Sequence, residues 1–171
     1  MTVELILPRR EYESSYGAYI RELGDEERYP FPLDFDHREF DLLLRRLGDF
    51  ANGVNLPEGI VPSSTYWLVD GGELIGVSNL RHHLNDRIRH HGGHIGLGIR
   101  PSYRARGLGN MLLSLTIQEA RKKGVTPIHI HCHKSNTASA RMIVRNGGIL
   151  DSEVADEGST EIIQRYCVAA A

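Results

Sequence analysis

Cysteine is scarce in this chain, and the little there is forms no pattern. The 171 residues contain two, Cys132 and Cys167, each inside an apolar run. A disulfide framework and a CxxC zinc or redox motif are therefore excluded, and two buried thiols in a reducing compartment are expected. No apolar stretch nears the length of a membrane span, so no membrane partner is expected. The first ten residues carry Glu4, Arg9 and Arg10 where a signal peptide would have an apolar centre and a small-residue cleavage site, which points to the cytoplasm. Neither sign of charge dominates: 20 Lys and Arg face 22 Asp and Glu, for a net charge of −2. That balance removes the case for non-specific nucleic-acid binding. HExxH, Gly-Lys-Ser, Gly-Lys-Thr and internal repeats are also missing.

What the chain does have is 40% hydrophobic residues, enough for one compact domain with a sizeable core. Val3 to Leu7 reads as a strand closed by Pro8, and Glu11 to Leu23 as an amphipathic helix ended by Gly24. A loop from Tyr29 to Asp36, rich in aromatics and proline, leads to a second helix in which Phe40, Leu43, Leu44 and Leu47 recur at helical spacing, with Asp36 as the expected cap. Tyr66–Val69 and Leu74–Val77 flank Asp70-Gly71-Gly72-Glu73, a hairpin signal. Arg81 to Gly93 reads as a polar, histidine-rich loop. Pro127–Cys132 reads as a strand, Asn136 to Asn146 as a helix, and Gly148–Val154 and Glu161–Val168 as two closing strands.

The most telling segment joins a short buried strand, His94 to Ile99, to a helix in which Met111, Leu112, Leu113, Leu115, Thr116, Ile117 and Ala120 repeat until Lys122-Lys123-Gly124. Between them lies Arg100-Pro101-Ser102-Tyr103-Arg104-Ala105-Arg106-Gly107-Leu108-Gly109-Asn110. Its glycines fall at the helix N-terminus, where backbone N–H groups lack intrahelical partners, the helix dipole favours negative charge, and no Cβ keeps a phosphate away. Arg104 and Arg106 add positive charge. A dinucleotide-binding fingerprint fits less well, because Leu112 stands where a third glycine belongs and no parallel strand with an acidic end follows at the required distance.

The spacing of Ile99, Arg104, Gly107 and Gly109 resembles the acyl-CoA signature of the GNAT superfamily of N-acetyltransferases, and the strand before Asn136 and the helix after it fall where that family has them. The likeness covers Tyr66 to Tyr166. Gly92 to Ser102, Asn146-Gly147-Gly148 and Arg165-Tyr166 further resemble one bacterial subgroup. The resemblance implies an α/β fold with a mixed, mostly antiparallel sheet flanked by helices and splayed beside its fourth strand. It implies a single domain, 1–171, in which 1–63 supplies acceptor-side helices and a loop and 64–168 the acyl-CoA-binding core. Acetyl-CoA is then the cosubstrate. Its pyrophosphate would meet Arg104, Arg106, Gly107, Leu108, Gly109 and Asn110, its pantetheine would run along Gly98, Ile99 and Arg100, and Asn136 and Ser139 would contact the arm. A main-chain N–H near Ile99 would polarise the acetyl carbonyl.

An amine must be neutral to attack a thioester, and histidine titrates near the working pH, so His94 is the expected base, with His82 next. Many members of the family protonate the departing thiolate with a Tyr four residues before the glycine that ends the second helix. Here that position is Ile143, and Tyr166 and Ser139 are the candidate substitutes, with water the simplest. His129, His131 and His133 alternate on one strand face, but without metal-ligand spacing no metal is expected. The same alternation turns His131 and His133 away from Cys132, which argues against a covalent acyl-cysteine. A small-molecule amine is the expected acceptor. A peptide or protein amine, or a non-catalytic acyl-CoA-binding regulatory module, is the alternative, and a homodimer stays open.

Overall fold

The computed structural model describes residues 2–170. The Val3–Ile6 strand (β1) is followed by a 3-10 turn, Arg10–Tyr12, and the helix Glu13–Leu23 (α1), which ends at Gly24. The helix Phe40–Asn52 (α2) starts later than the sequence suggests. Asp36 does not cap it: its carboxylate accepts from the Arg38 backbone N–H and guanidinium instead, which closes a tight local turn. Strands Ser63–Asp70 (β2) and Glu73–Arg81 (β3) form the expected hairpin about Gly71-Gly72. The histidine-rich loop holds a short helix, Asp86–His90 (α3), capped by the Asn85 side chain on the Ile88 N–H. Beyond it come Ile95–Ile99 (β4), Leu108–Lys122 (α4), Ile128–His133 (β5), Thr137–Arg145 (α5), Gly148–Ala155 (β6) and Ile162–Val168 (β7).

The strands make two antiparallel sheets, ordered β1-β2-β3-β4 and β5-β7-β6. A backbone bridge between Gly93 and Ile130 ties them together at the start of β4. Past that point the sheets part, and the gap between β4 and β5 is the cleft that concerns function. On one face, Tyr12, Tyr16, Phe40, Leu43 and Leu47 pack on the fully buried Trp67, with the Tyr16 ring stacked 5.6 Å from that of Trp67. On the other, Leu113, Ile117 and Ala120 of α4 cover Ile95, Ile128 and Ile130. Both cysteines are only partly buried. Burial raises the pKa of the Cys132 thiol, which keeps it protonated and unreactive.

Candidate active site

The cleft opens as a cavity of about 610 Å³ lined by Tyr19 and Leu23 of α1, Glu26, Glu27 and Tyr29 of the following segment, Leu97, Gly98 and Ile99 of β4, Arg104, Gly109 of α4, and Ala138, Ser139 and Met142 of α5. Its floor is the free edge of β4. Arg81 N–H donates to His94 O at one end of the β3–β4 pairing and Arg100 N–H to Ile75 O at the other. In an antiparallel ladder, hydrogen-bonded and non-hydrogen-bonded pairs alternate. Leu97 opposite Ser78 and Ile99 opposite Gly76 are therefore non-hydrogen-bonded pairs, and their N–H and C=O groups point away from β3 toward the cleft. The Ile99 carbonyl accepts from Arg104 Nε at 3.0 Å.

At the rim stands the N-terminus of α4. Gly107 is its N-cap with φ +76°, a left-handed conformation that favours glycine, and no side chain caps the first turn. Ala105, just before it, also has positive φ. The backbone of this loop is thus held in a sparsely populated conformation, as happens at ligand clamps. First-turn N–H groups left uncapped at the mouth of a cavity are suited to bind an anion.

Among the residues singled out in the sequence, the structure brings Gly98, Ile99, Arg104, Gly109 and Ser139 together on this cavity, with Gly107, Leu108 and Asn110 in the adjoining turn. Arg104 is already paired: its guanidinium grips Glu26 at 3.1 and 2.8 Å, and this contact lowers the pKa of that carboxyl. Arg106 is exposed, donating to Ser102 O with its guanidinium over the Tyr103 ring. Asn136 spends its side-chain oxygen capping α5 on the Ser139 N–H, and the Asn110 side chain accepts from Asn146.

Other expected site residues lie elsewhere. Arg100, itself nearly buried, turns away from the cleft to the partly exposed carboxylates of Glu22 and Glu73 and to Ser15 and the Leu74 carbonyl, because two carboxylates and a carbonyl meet its planar donors there. The Tyr166 ring packs in the core and its hydroxyl donates to Gln164. His94 lines a separate cavity of about 310 Å³ with His82, Arg89 and His129. Its Nδ1 accepts the His129 N–H, and burial followed by the charge of His129 lowers its pKa to about 4. The lone pair that a base would use is therefore engaged in joining the sheets. Among the described residues no group of His, Cys, Asp and Glu is placed to hold a metal ion.

The acceptor-side loop expected within residues 1–63 includes Tyr29, but neither its contact with β4 nor His131 as a lining residue was foreseen. The segment carrying Tyr29 lies directly on β4: a Cβ at Gly98 would sit 2.5 Å from Tyr29 O, and one at Gly96 2.8 Å from the Tyr29 hydroxyl. The alternating glycines of Ile95-Gly96-Leu97-Gly98-Ile99 are the local sign that something crosses that face. Behind the main cavity a narrow one of about 50 Å³ continues between the sheets, lined by Tyr29, Gly96, Leu97, Ile130, His131, Ser139, Met142 and Ile143 among others.

The profile of the Acetyltransferase (GNAT) family matches residues 18–147. No curated protein matches the chain. Among solved structures, the chain is similar to the ribosomal-protein-S5-alanine acetyltransferase of Vibrio fischeri (14% identity, 99% of this chain and 94% of that one, TM-score 0.72). It is also similar to yncA, a putative acetyltransferase from Salmonella typhimurium with its cofactor acetyl-CoA (15% identity, 100% and 95%, TM-score 0.67). A third is a spermidine N-acetyltransferase chimera from Vibrio cholerae and hSSAT (15% identity, 99% and 96%, TM-score 0.66). The cleft between two sheets, the uncapped helix at its mouth and the match over most of the sequence lead to one conclusion: the chain belongs to the GNAT family of acetyltransferases.

Proposed function

We propose that the protein transfers the acetyl group of acetyl-CoA to the primary amine of a small, cationic molecule by direct attack. The observation that carries this reading is the single cavity onto which the free β4 edge and the uncapped first turn of α4 both open. Pyrophosphate would lie against the Gly107–Asn110 backbone, with Arg104 released from Glu26 to help neutralise it. The pantetheine amides would pair with the Ile99 N–H and the Leu97 carbonyl, and the Leu97 N–H, on the residue of β4 that lines both this cavity and the narrow one behind it, would meet the thioester oxygen as charge develops there. Glu26 and Glu27 on the opposite wall favour a cationic acceptor. The acceptor nitrogen loses its proton to water, since His94 has its lone pair engaged. Holding both reactants in one cleft supplies the proximity on which a reaction with few participating side chains depends.

The test is calorimetric titration of CoA and acetyl-CoA into the protein and into Gly109→Val, followed by thiol-release assays with an amine and peptide panel. A Cβ at Gly109 would meet only the flexible end of Met142 at 3.3 Å and Ile99 Cγ1 at 3.8 Å. The variant should therefore fold, while CoA affinity falls by roughly tenfold or more because the side chain stands where phosphate must approach. Absence of CoA binding by the unmodified protein would overturn the proposal, and unaltered affinity in Gly109→Val would remove the α4 turn from it. Thiol release with peptides but not small amines would move the acceptor to a protein terminus.

A further inference from the structure

The narrow cavity behind the main one is walled on the α5 side by Ile143, the position where a thiolate-protonating tyrosine would stand in the family, and isoleucine offers no donor there. His131 of β5 lines the same cavity. It is 8% exposed, and its two ring nitrogens have different fates. Nδ1 accepts the Gly92 N–H at 3.0 Å, which fixes the neutral tautomer with the proton on Nε2. Nε2 is buried and has no hydrogen-bond partner among the described residues. Buried polar groups are nearly always satisfied, so an orphaned donor beside a cavity asks for a ligand atom or a water.

We propose that His131 Nε2–H is the donor that receives the sulfur of CoA as the thioester breaks. This inference rests on the acetyl-CoA reading above. In the step, the acceptor nitrogen bonds to the carbonyl carbon, the C–S bond breaks with its electron pair going to sulfur, and the proton lost by the nitrogen passes to water. His131 keeps its proton: a neutral imidazole is too weak an acid to give it up and stabilises the thiolate by hydrogen bonding alone, until solvent protonates the sulfur. Its neutrality is secured by its surroundings, since burial, then Arg165 and the nearby His129, His91 and His94 lower its pKa to about 3. Tyr29, the other titratable group on this cavity, is kept in its phenol form by burial. The donor is thus present across the whole physiological range.

The experiment reads the pKa of the thiol of bound CoA from thiolate absorbance as a function of pH, beside CoA affinity by calorimetry and turnover with the best amine of the panel. Two variants separate the two ring nitrogens. His131→Asn keeps an acceptor in the place of Nδ1 for Gly92 and removes the Nε2 donor, whereas His131→Gln keeps an N–H near the place of Nε2. The bound thiol should be more acidic than free CoA in the unmodified protein. His131→Asn should raise its pKa by about 1 or more and lower turnover by roughly tenfold to a hundredfold, the range of a hydrogen bond to a charged group. His131→Gln should restore most of both. If CoA binds and its thiol titrates identically in the unmodified protein and in His131→Asn, the inference is wrong while the acetyl-CoA reading stands. Failure of CoA to bind the unmodified protein would overturn that reading first. If His131→Asn does not fold, an unshifted bound thiol in the unmodified protein is itself sufficient to refute the inference.

Discussion

Adding one methyl group at Gly98 should loosen the acceptor side of the cleft and leave the phosphate side intact. The new Cβ would lie 2.5 Å from the main-chain oxygen of Tyr29, so that segment must retreat by about 0.9 Å to reach the 3.4 Å at which ordinary contact begins. Backbone cannot swing aside as a side-chain end can. Overpacking of this kind costs about 1–3 kcal/mol, and the roughly 0.4–1 kcal/mol regained from the stiffer unfolded chain does not cancel it. For a chain of this length each kcal/mol moves Tm by roughly 2–4 °C, so Gly98→Ala should melt several degrees lower. Gly96→Ala supplies the internal control: its Cβ would meet the Tyr29 hydroxyl at 2.8 Å and ring carbon Cζ at 3.1 Å, the far end of a side chain that can turn where a main-chain oxygen cannot, so Tm should fall less than in Gly98→Ala. Because Tyr29 lines both cavities, the acceptor KM should rise more than the acetyl-CoA KM in Gly98→Ala. Circular-dichroism melts and initial-rate kinetics on the two variants decide the matter. Equal melting temperatures for both, at or above that of the parent, would mean that the Tyr29 segment does not rest on β4.

Two further outcomes are expected. Arg100→Ala should lower urea-unfolding stability by about 2 kcal/mol or more, since Glu22 and Glu73 lose a shared, nearly buried partner; CoA affinity should hold to within a few-fold, and a large loss of affinity with unchanged stability would return Arg100 to the cofactor site. Stability should also fall as pH drops below 6.5, because the unfolded chain then protonates His94 and His131 while the folded chain resists until about 4 and about 3. The sign is fixed by the unfolded state binding more protons in that window, and the combined loss between pH 7 and pH 5 is up to about 4 kcal/mol; a flat urea-midpoint profile over that range would show that the two rings are solvated.

What could be read from the sequence was short-range. Gly107 before an apolar helical repeat, Gly71-Gly72 between two apolar runs, and Asn136 three residues before Ser139 each act within a turn or two, and each produced the expected element. The cleft between sheets followed from family resemblance. What could not be read was the choice among partners distant in sequence. Arg100 stood where the pantetheine was expected to run, but Glu22 and Glu73 reach its side chain from other elements and win it. His94 occupied the place of a base until its Nδ1 was seen to accept the His129 N–H from a strand beyond the next helix. Asp36 had the right identity for a cap, and the Arg38 guanidinium and N–H nearer by took it instead. Such contests are settled by tertiary geometry, which periodicity does not encode.

The cleft itself has a local cause. Gly92 and Gly93 both have positive φ, and a Cβ at Gly93 would fall 2.6 Å from His129 O, so only glycine lets the chain cross β5 this closely. The crossing makes the Gly93–Ile130 bridge, and His94, the residue after it, adds two hydrogen bonds to His129. The sheets are therefore pinned beside the first residues of β4 and diverge beyond them, which leaves the edge groups of Leu97 and Ile99 without a partner strand. The same crossing presents the Gly92 N–H to His131 Nδ1 and so decides which nitrogen of that ring carries the proton. Two glycines thus open the cavity, free the backbone that faces it and fix the tautomer of the histidine at its far end, which makes the histidine-rich approach to β4 part of the site's construction although none of its imidazoles lines the main cavity.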